Sequence, residues 1–326
     1  MKLPEIIRGE HEIIQVKIAM SYPLRWVNSY LVGGSGGWSI VDPGPRSADN
    51  EQAWQQVLET LDIPLLAIRS IVLTHHHPDH YGLSGWFQQQ GGMPVWISER
   101  ALAEANRSWS PGNTAAFDLV HLFASHGMPE EITSQLPAHL DSFVPQVVPR
   151  PEVTLIQPGQ SLEIGDRLWK TIETSGHAAG HISFYQPEQR LMLCGDAVLP
   201  QISPNISLVP GSDPSPLESY LIGLRQLGRY EVDLAYPGHR RPFTHFRDRT
   251  EKLLLHHEER LQAMEDRIRD QPRTGYEVCS SLFNNELTLH QLRFAMSETL
   301  AHLVELERLG RAVRQERNGI MTFSAR

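Results

Sequence analysis

The chain has 326 residues, a net charge of −9 and a pI near 6.0, with 40% hydrophobic and 21% charged residues. That length suits one large domain plus a small one, the composition is that of a globular protein with a sizeable core, and the acidic balance argues against a basic nucleic-acid surface over the whole molecule. The N-terminus MKLPEIIRGEHEIIQ has no apolar stretch of signal length, no later run approaches a membrane span, and Cys194 and Cys279 lie too far apart for a disulfide framework, so a cytoplasmic protein without membrane contact is expected.

Strands are expected over Glu12 to Met20 and Trp26 to Val32, with a break at Tyr22-Pro23. GGSGG at 33–37 turns the chain into WSIVD, so three antiparallel strands open the fold. Asp42-Pro43-Gly44 ends the third. From Asp49 to Leu61, apolar residues at helical spacing predict a helix that covers this sheet. The chain then returns as the β-branched strand IRSIVLT, and HHHPDH follows at once. An extended backbone puts His75 and His77 on one face and sends His76 to the other. Pro78 suits the first turn of a helix, whose positive end favours Asp79 as a carboxylate and His80 as a neutral imidazole. A mixture of imidazole and carboxylate suits divalent cations, and a second metal beside the first is the natural use of Asp79 and His80.

Leu83 to Gln90 continues as a helix that Gly91-Gly92 ends, and Pro94 to Ser98 is a further strand. The long segment from Glu99 to Pro151 carries helical stretches at Arg100 to Arg107, Ala115 to Ser125 and Glu130 to Leu136. A connection of this length is expected to fold over the site and line an apolar substrate pocket. Its His121, His126 and His139 lack a ligand motif and are read as surface or satisfied groups. Strands resume at Glu152 to Ile156, Leu162 to Ile164 and Leu168 to Glu173, then at His181 to Gln186, Arg190 to Cys194 and Val232 to Tyr236. Ser215-Pro216-Leu217-Glu218 has a capping-box pattern before an apolar helix face.

His75, His77, Asp79 and His80 resemble the HxHxDH signature of the metallo-β-lactamase superfamily. Three later segments continue the likeness: TSGHAAGH at 174–181, Gly195-Asp196-Ala197 and Pro237-Gly238-His239. The resemblance implies an α/β fold, an αββα sandwich of two mixed sheets flanked by helices. It also implies that His177 joins His75 and His77 around one metal, that Asp79, His80 and His239 hold the other, and that Asp196 bridges them. Asp79 and Asp196 would position the attacking hydroxide. Ala178 departs from the usual threonine or serine, which removes a hydroxyl without touching a ligand. His181 is read as a supporting group, and Asp42 either as a support of the metal loop or as a plain DPG turn.

A long helix is expected from His245 to about Arg269, followed by helices over Tyr276 to Phe283, from Thr288, and over Ser297 to Leu309, then a hairpin turning at Asn318-Gly319. This reads as a winged helix, similar to the C-terminal domain on a subset of metallo-β-lactamase-fold hydrolases. The expected division is a catalytic domain over 1–245, with the helical insertion at about 99–150, and a linker helix plus winged helix over 246–326. Its last helix offers Glu298, His302, Glu305 and Glu307, which suits packing beside the active site or a homodimer contact better than nucleic acid.

The function implied is a dinuclear-metal-dependent hydrolase that attacks a carbonyl with a metal-bridging hydroxide. Zinc is the leading cation, with iron and manganese as alternatives, and the expected partner is a small-molecule acyl substrate: a thioester, ester or lactone. The other reading is a metal-dependent endoribonuclease or phosphodiesterase using the same site.

Overall fold

In the computed structural model, which describes all residues except 1–2, 22–23, 111, 113, 158 and 284–285, two mixed sheets share one apolar interior. The first contains β1 (Ile6–Arg8), β2 (Ile13–Ala19), β3 (Trp26–Gly34), β4 (Gly37–Val41), β5 (Ile68–Val72), β6 (Val95–Ser98) and β7 (Val153–Ile156), in that spatial order. Its first four strands pair antiparallel and the rest run parallel from β4 onward. The second contains β8 (Ser161–Ile164), β9 (Arg167–Glu173), β10 (Ile182–Gln186), β11 (Leu191–Gly195) and β12 (Leu234–Pro237), with only β11 and β12 parallel. Four antiparallel strands open the fold where three were expected, because short β1 pairs with β2. The Tyr22-Pro23 break lies outside the described residues.

Both faces of the central strands are covered, so these strands are apolar on both sides and the period of two divides their side chains between layers, while β7, β8 and β9 leave residues such as Leu155 and Leu168 exposed. Ile14, Val16 and Ile18 of β2 face one core, while Ile13 joins Tyr30, Val41 and Val72 against Phe184, Leu193 and Tyr236 of the second sheet. On the outer side of the first sheet pack α1 (Ala48–Thr60), α3 (Ser84–Gly91) and α4 (Glu99–Trp109). Between β5 and α3 runs the single turn α2 (Pro78–Tyr81), and Gly92 closes α3 in the left-handed conformation expected of a helix end. The insertion continues as α5 (Ala115–Ser125), α6 (Glu130–Thr133) and α7 (Leu136–Asp141), so the helix expected over Glu130 to Leu136 is two short ones.

The outer side of the second sheet is covered by α8 (Pro216–Leu227), α9 (Phe246–Arg267), α10 (Gly275–Leu282) and α11 (Leu289–Arg308), all in one core with α5. The capping box expected at Ser215 does not form; Asp213 instead accepts from the Ser215 backbone N–H at 2.9 Å. The helices expected from Thr288 and from Ser297 are one continuous helix. Thr288 and Gln291 make the capping box at its start, and Thr299 in its middle bonds back to the Ala295 carbonyl. The count of three helices is therefore met only by including α9. A hairpin of β14 (Ala312–Arg317) and β15 (Ile320–Ala325) turns at Asn318-Gly319 as expected, and β13 (Arg273–Thr274) adds a third strand. No described helix is long and apolar enough to cross a membrane.

Candidate metal centre

All seven side chains singled out from the sequence meet at one end of the two sheets. His75 and His77 follow β5, with the ring atoms His75 Nε2 and His77 Nδ1 3.0 Å apart, and His177 completes a group of three. Asp79, His80 and His239 form a second group, and Asp196 joins His75 and His80 in a third. Asp196 Oδ2 stands between them: His177 Nε2 lies 3.5 Å away, His80 Nε2 3.5 Å and His239 Nε2 3.4 Å. Asp79 Oδ2 is 3.3 Å from His239 Nε2 and 3.6 Å from His80 Nε2.

His75, His80, His177 and His239 are each fixed through the other ring nitrogen, which decides which atom faces the centre. Thr74 Oγ1 donates to Asp42 Oδ2 at 2.7 Å and so accepts from His75 Nδ1–H at 2.9 Å. His80 Nδ1–H donates to the same Asp42 oxygen at 2.9 Å. Asp42 thus supports the metal loop, beyond making the DPG turn. His177 Nδ1–H donates to the Asn205 carbonyl at 2.9 Å and His239 Nδ1–H to the Trp26 carbonyl at 3.0 Å. His181 is a support as read: its Nε2 accepts from the Asp196 backbone N–H at 3.1 Å while its Nδ1–H donates to Thr174 Oγ1 at 2.7 Å.

The two groups differ electrostatically. Burial, with crowding by neighbouring imidazoles, holds His75 and His77 well below the usual imidazole range, and burial also lowers His177. Burial works the same way on His239 and His80. There, however, Asp196 and Asp79 outweigh it, raising His239 to about 10 and His80 well above its ordinary value. Against the raising effect of their own burial, His239 and His80 hold Asp196 far down, and His80 and His239 lower Asp79. One group is therefore neutral imidazole, and the other attracts positive charge strongly.

The donor set fits a pair of divalent cations. His80 Nε2, His177 Nε2 and Asp196 Oδ1 are buried without a hydrogen-bond partner among the described residues, and a buried polar atom left unpaired is costly. Imidazole and carboxylate in this ratio are the ligands that borderline divalent metals accept.

The PGH turn that carries His239 is held by the opposite sheet. From β3, Asn28 Nδ2 donates to the carbonyls of Pro237 at 2.9 Å and Arg240 at 2.7 Å, and Tyr30 Oη donates to Pro237 at 2.6 Å. Gly238 has to be glycine, because a Cβ there would run into Asp196 Oδ1 and His80 Cε1.

A cavity of about 660 Å³ opens on the centre at His77, Asp79, His177, Asp196 and His239. The insertion contributes Trp109, Leu119 and Phe143 to its wall, and the C-terminal part contributes Phe283, Leu287 and Phe294. The insertion thus lines an apolar pocket as expected, and the C-terminal helix α11 is its other side. That same helix was read as offering Glu298, His302 and Glu305 to its surroundings, but all three are buried.

Sequence reasoning missed Asn205, whose carbonyl orients His177, and the Trp26 carbonyl behind His239. Backbone acceptors leave no signal in residue identity.

Comparison with known proteins matches residues 23–239 to the metallo-beta-lactamase superfamily and residues 261–326 to the metallo-beta-lactamase-like C-terminal domain. The crystal structure of metallo-beta-lactamase family protein TTHA1429 from Thermus thermophilus is 33% identical with a TM-score of 0.86, covering 97% of this chain and 99% of that one. The probable metallo-hydrolase YqjP of Bacillus subtilis is 27% identical over 300 residues, 91% of this chain and 92% of its own. At lower identity, 23% over 217 residues, the chain is similar to an atrochrysone carboxyl ACP thioesterase of Aspergillus fumigatus, over 66% of this chain and 51% of that one.

Proposed function

The chain belongs to the metallo-β-lactamase superfamily, and from that premise we propose that it is a dinuclear-metal-dependent hydrolase of acyl thioesters or related esters whose acyl group is bulky and apolar. The observation that carries this reading is the cavity of about 660 Å³ beside the His and Asp cluster, walled by Trp109, Leu119, Phe143, Phe283, Leu287 and Phe294. A pocket of this size, with apolar walls and Arg107 and Arg293 among its polar lining, seats a large apolar group beside the centre. The similarity to an ACP thioesterase points to the same bond.

His75, His77 and His177 would hold one cation, Asp79, His80 and His239 the other, with Asp196 shared between them. Such a pair, when bound, lowers the pKa of water toward neutrality and polarises a carbonyl oxygen. The protein's part is positioning. Asp196, held ionised by His239 and His80, fixes the two imidazole groups about one oxygen. Asp79, ionised and with its side chain 21% exposed on the cavity, would orient the attacking water beside the cation it holds with His80 and His239. The apolar wall excludes bulk water from the acyl side, which strengthens each of these interactions.

Turnover of acyl thioesters with short and bulky acyl groups, a lactone, a phosphodiester and single-stranded RNA by purified protein tests the reading. Hydrolysis of the bulky thioester that disappears in His177→Ala is the expected result. Cleavage of RNA alone, lost in the same variant, would overturn it in favour of a nuclease.

A further inference from the structure

Residues 196–215, between β11 and α8, contain no helix or strand, yet they carry both Asp196 and the carbonyl that orients His177. An irregular stretch of this length has no shape of its own and takes it from what grips it. Tyr220 of α8 grips it at the Ala197 carbonyl, 2.9 Å away, and Arg107 of α4 at the Pro210 carbonyl, 2.8 Å away, and the C-terminal helices hold the stretch between. Arg249 of α9 donates from Nε to the Leu199 carbonyl at 2.6 Å and from Nη2 to the Ile202 carbonyl at 2.8 Å. Along α11, the Ser297 carbonyl accepts from Leu208 N–H at 3.1 Å.

Asn205 is the tightest point. Ser207 Oγ donates to its Oδ1 at 2.5 Å, which turns the amide so that Nδ2 faces α11. There Nδ2 donates to Glu298 Oε2 at 2.8 Å and to the Phe294 carbonyl at 3.2 Å. Glu298 is 8% exposed, and its other oxygen stands 4.0 Å from Arg260 of α9. The backbone carbonyl of the same asparagine accepts from His177 Nδ1–H. One residue therefore ties α11 to an imidazole of the centre, and that hydrogen bond leaves His177 Nε2 with its lone pair toward Asp196.

We propose that Glu298 is a positioning residue for His177, acting through Asn205, so that the C-terminal helix α11 sets the cation affinity of the His75, His77 and His177 group. The inference rests on the metal-dependent reading above. It assigns the C-terminal part a role in building the centre, in addition to walling the cavity. Removing the carboxylate takes from Asn205 Nδ2 its shorter, charged acceptor and leaves it the longer bond to the Phe294 carbonyl, which loosens the backbone behind His177, while His80 and His239 keep their own supports on Asp42 and the Trp26 carbonyl.

Zinc affinity of the full-length protein, measured by competition with a chromogenic chelator, tests this alongside thermal unfolding. Glu298→Ala should weaken one of two zinc ions by about 10–100-fold, the usual effect of losing a partner behind a ligand, and leave the other unchanged. Glu298→Gln, which keeps an acceptor for Asn205 Nδ2, should restore both affinities. Leu303→Ala, which opens a cavity in the same helix without touching Asn205 or its partners, should lower the melting temperature and leave both affinities intact. Two unaltered affinities in Glu298→Ala, equal weakening in Leu303→Ala, or failure of Glu298→Gln to restore binding would each overturn the proposal while leaving the hydrolase reading standing. A wild-type protein that takes up no zinc, iron or manganese would overturn both.

Discussion

Asp42 Oδ2 stands 2.9 Å from His80 Nδ1 and 2.7 Å from Thr74 Oγ1, so one carboxylate oxygen supports an imidazole in each half of the cluster, reaching His75 through the threonine hydroxyl. Asp42 itself sits at a φ of +52°, a backbone setting that aspartate tolerates better than most residues. Its other oxygen accepts from the Thr74 backbone N–H at 2.8 Å, which fixes the exit of β5.

Replacing Asp42 by asparagine leaves one acceptor oxygen where three donors need two, and turns an amide N–H toward a neighbour that already donates. Asp42→Asn should therefore weaken both zinc ions, each by about 10–100-fold. The outcome differs from the one-site loss expected of Glu298→Ala, and the same chelator competition distinguishes them.

Gly238 offers a steric test. An added methyl would press on Asp196 and His80 together, and the turn cannot retreat because Asn28 and Tyr30 hold its carbonyls. Gly238→Ala should cost about 1–3 kcal/mol of stability, the usual range for an overpacked site, and reduce turnover by far more than its loss of melting temperature accounts for. Equal turnover in mutant and wild type at a temperature where both are folded would show that the turn is looser than its hydrogen bonds imply.

How much of this was legible in the sequence follows from which interactions are local. His75 to His80 could be read because a period of two, a proline and a helix start act within six residues, whereas His177, Asp196 and His239, at strand ends beside glycines, were picked out by the family resemblance. Apolar runs of strand length alternating with helical spacing gave the α/β class, and the αββα layering came from the family resemblance. Asn205 could not be read, since its partner Glu298 is 93 positions away and a lone asparagine in an irregular stretch has no periodicity. The division of α11 into two helices failed for a related reason. Ser297, Glu298 and Thr299 look like a helix start, but all three are buried inside the helix, where Thr299 satisfies itself on the Ala295 carbonyl and Glu298 on Asn205. Polar residues on an apolar helix usually face water, and here tertiary packing overrode that expectation.

His257 and His302 supply a pH test away from the centre. His302 Nδ1–H donates to the Glu298 carbonyl at 2.8 Å, so its Nε2 accepts from His257 Nδ1–H at 3.1 Å, and both rings are buried. Burial holds His257 down to about 2 and His302 to about 3. Below the unfolded imidazole value of about 6.5, the unfolded chain takes up protons that the folded chain refuses. Stability from this pair is thus complete above that pH and falls as the pH drops toward the folded values, by up to about 1.4 kcal/mol per pH unit for each ring. His302→Gln keeps an acceptor for His257 and removes one titrating group. Urea unfolding between pH 7 and pH 5 should show a shallower decline for the variant, so that the two stabilities converge in acid. Parallel declines would mean that His302 is protonated in the folded protein.

The last test concerns the size of the acyl group. Ala116 on α5 lines the cavity beside Leu119 and is 7% exposed, so a larger side chain there has nowhere to go except into the pocket. It stands on the insertion and is none of the residues assigned to the cations. Ala116→Phe should leave hydrolysis of a short acyl thioester close to wild type and lower kcat/KM for a bulky one by tenfold or more, about 1.4 kcal/mol or above in transition-state binding. The comparison between the two substrates removes any general loss of folding, which would lower both. A uniform fall would locate the acyl group outside this cavity, and the reading of the apolar wall as the determinant of substrate size would be wrong.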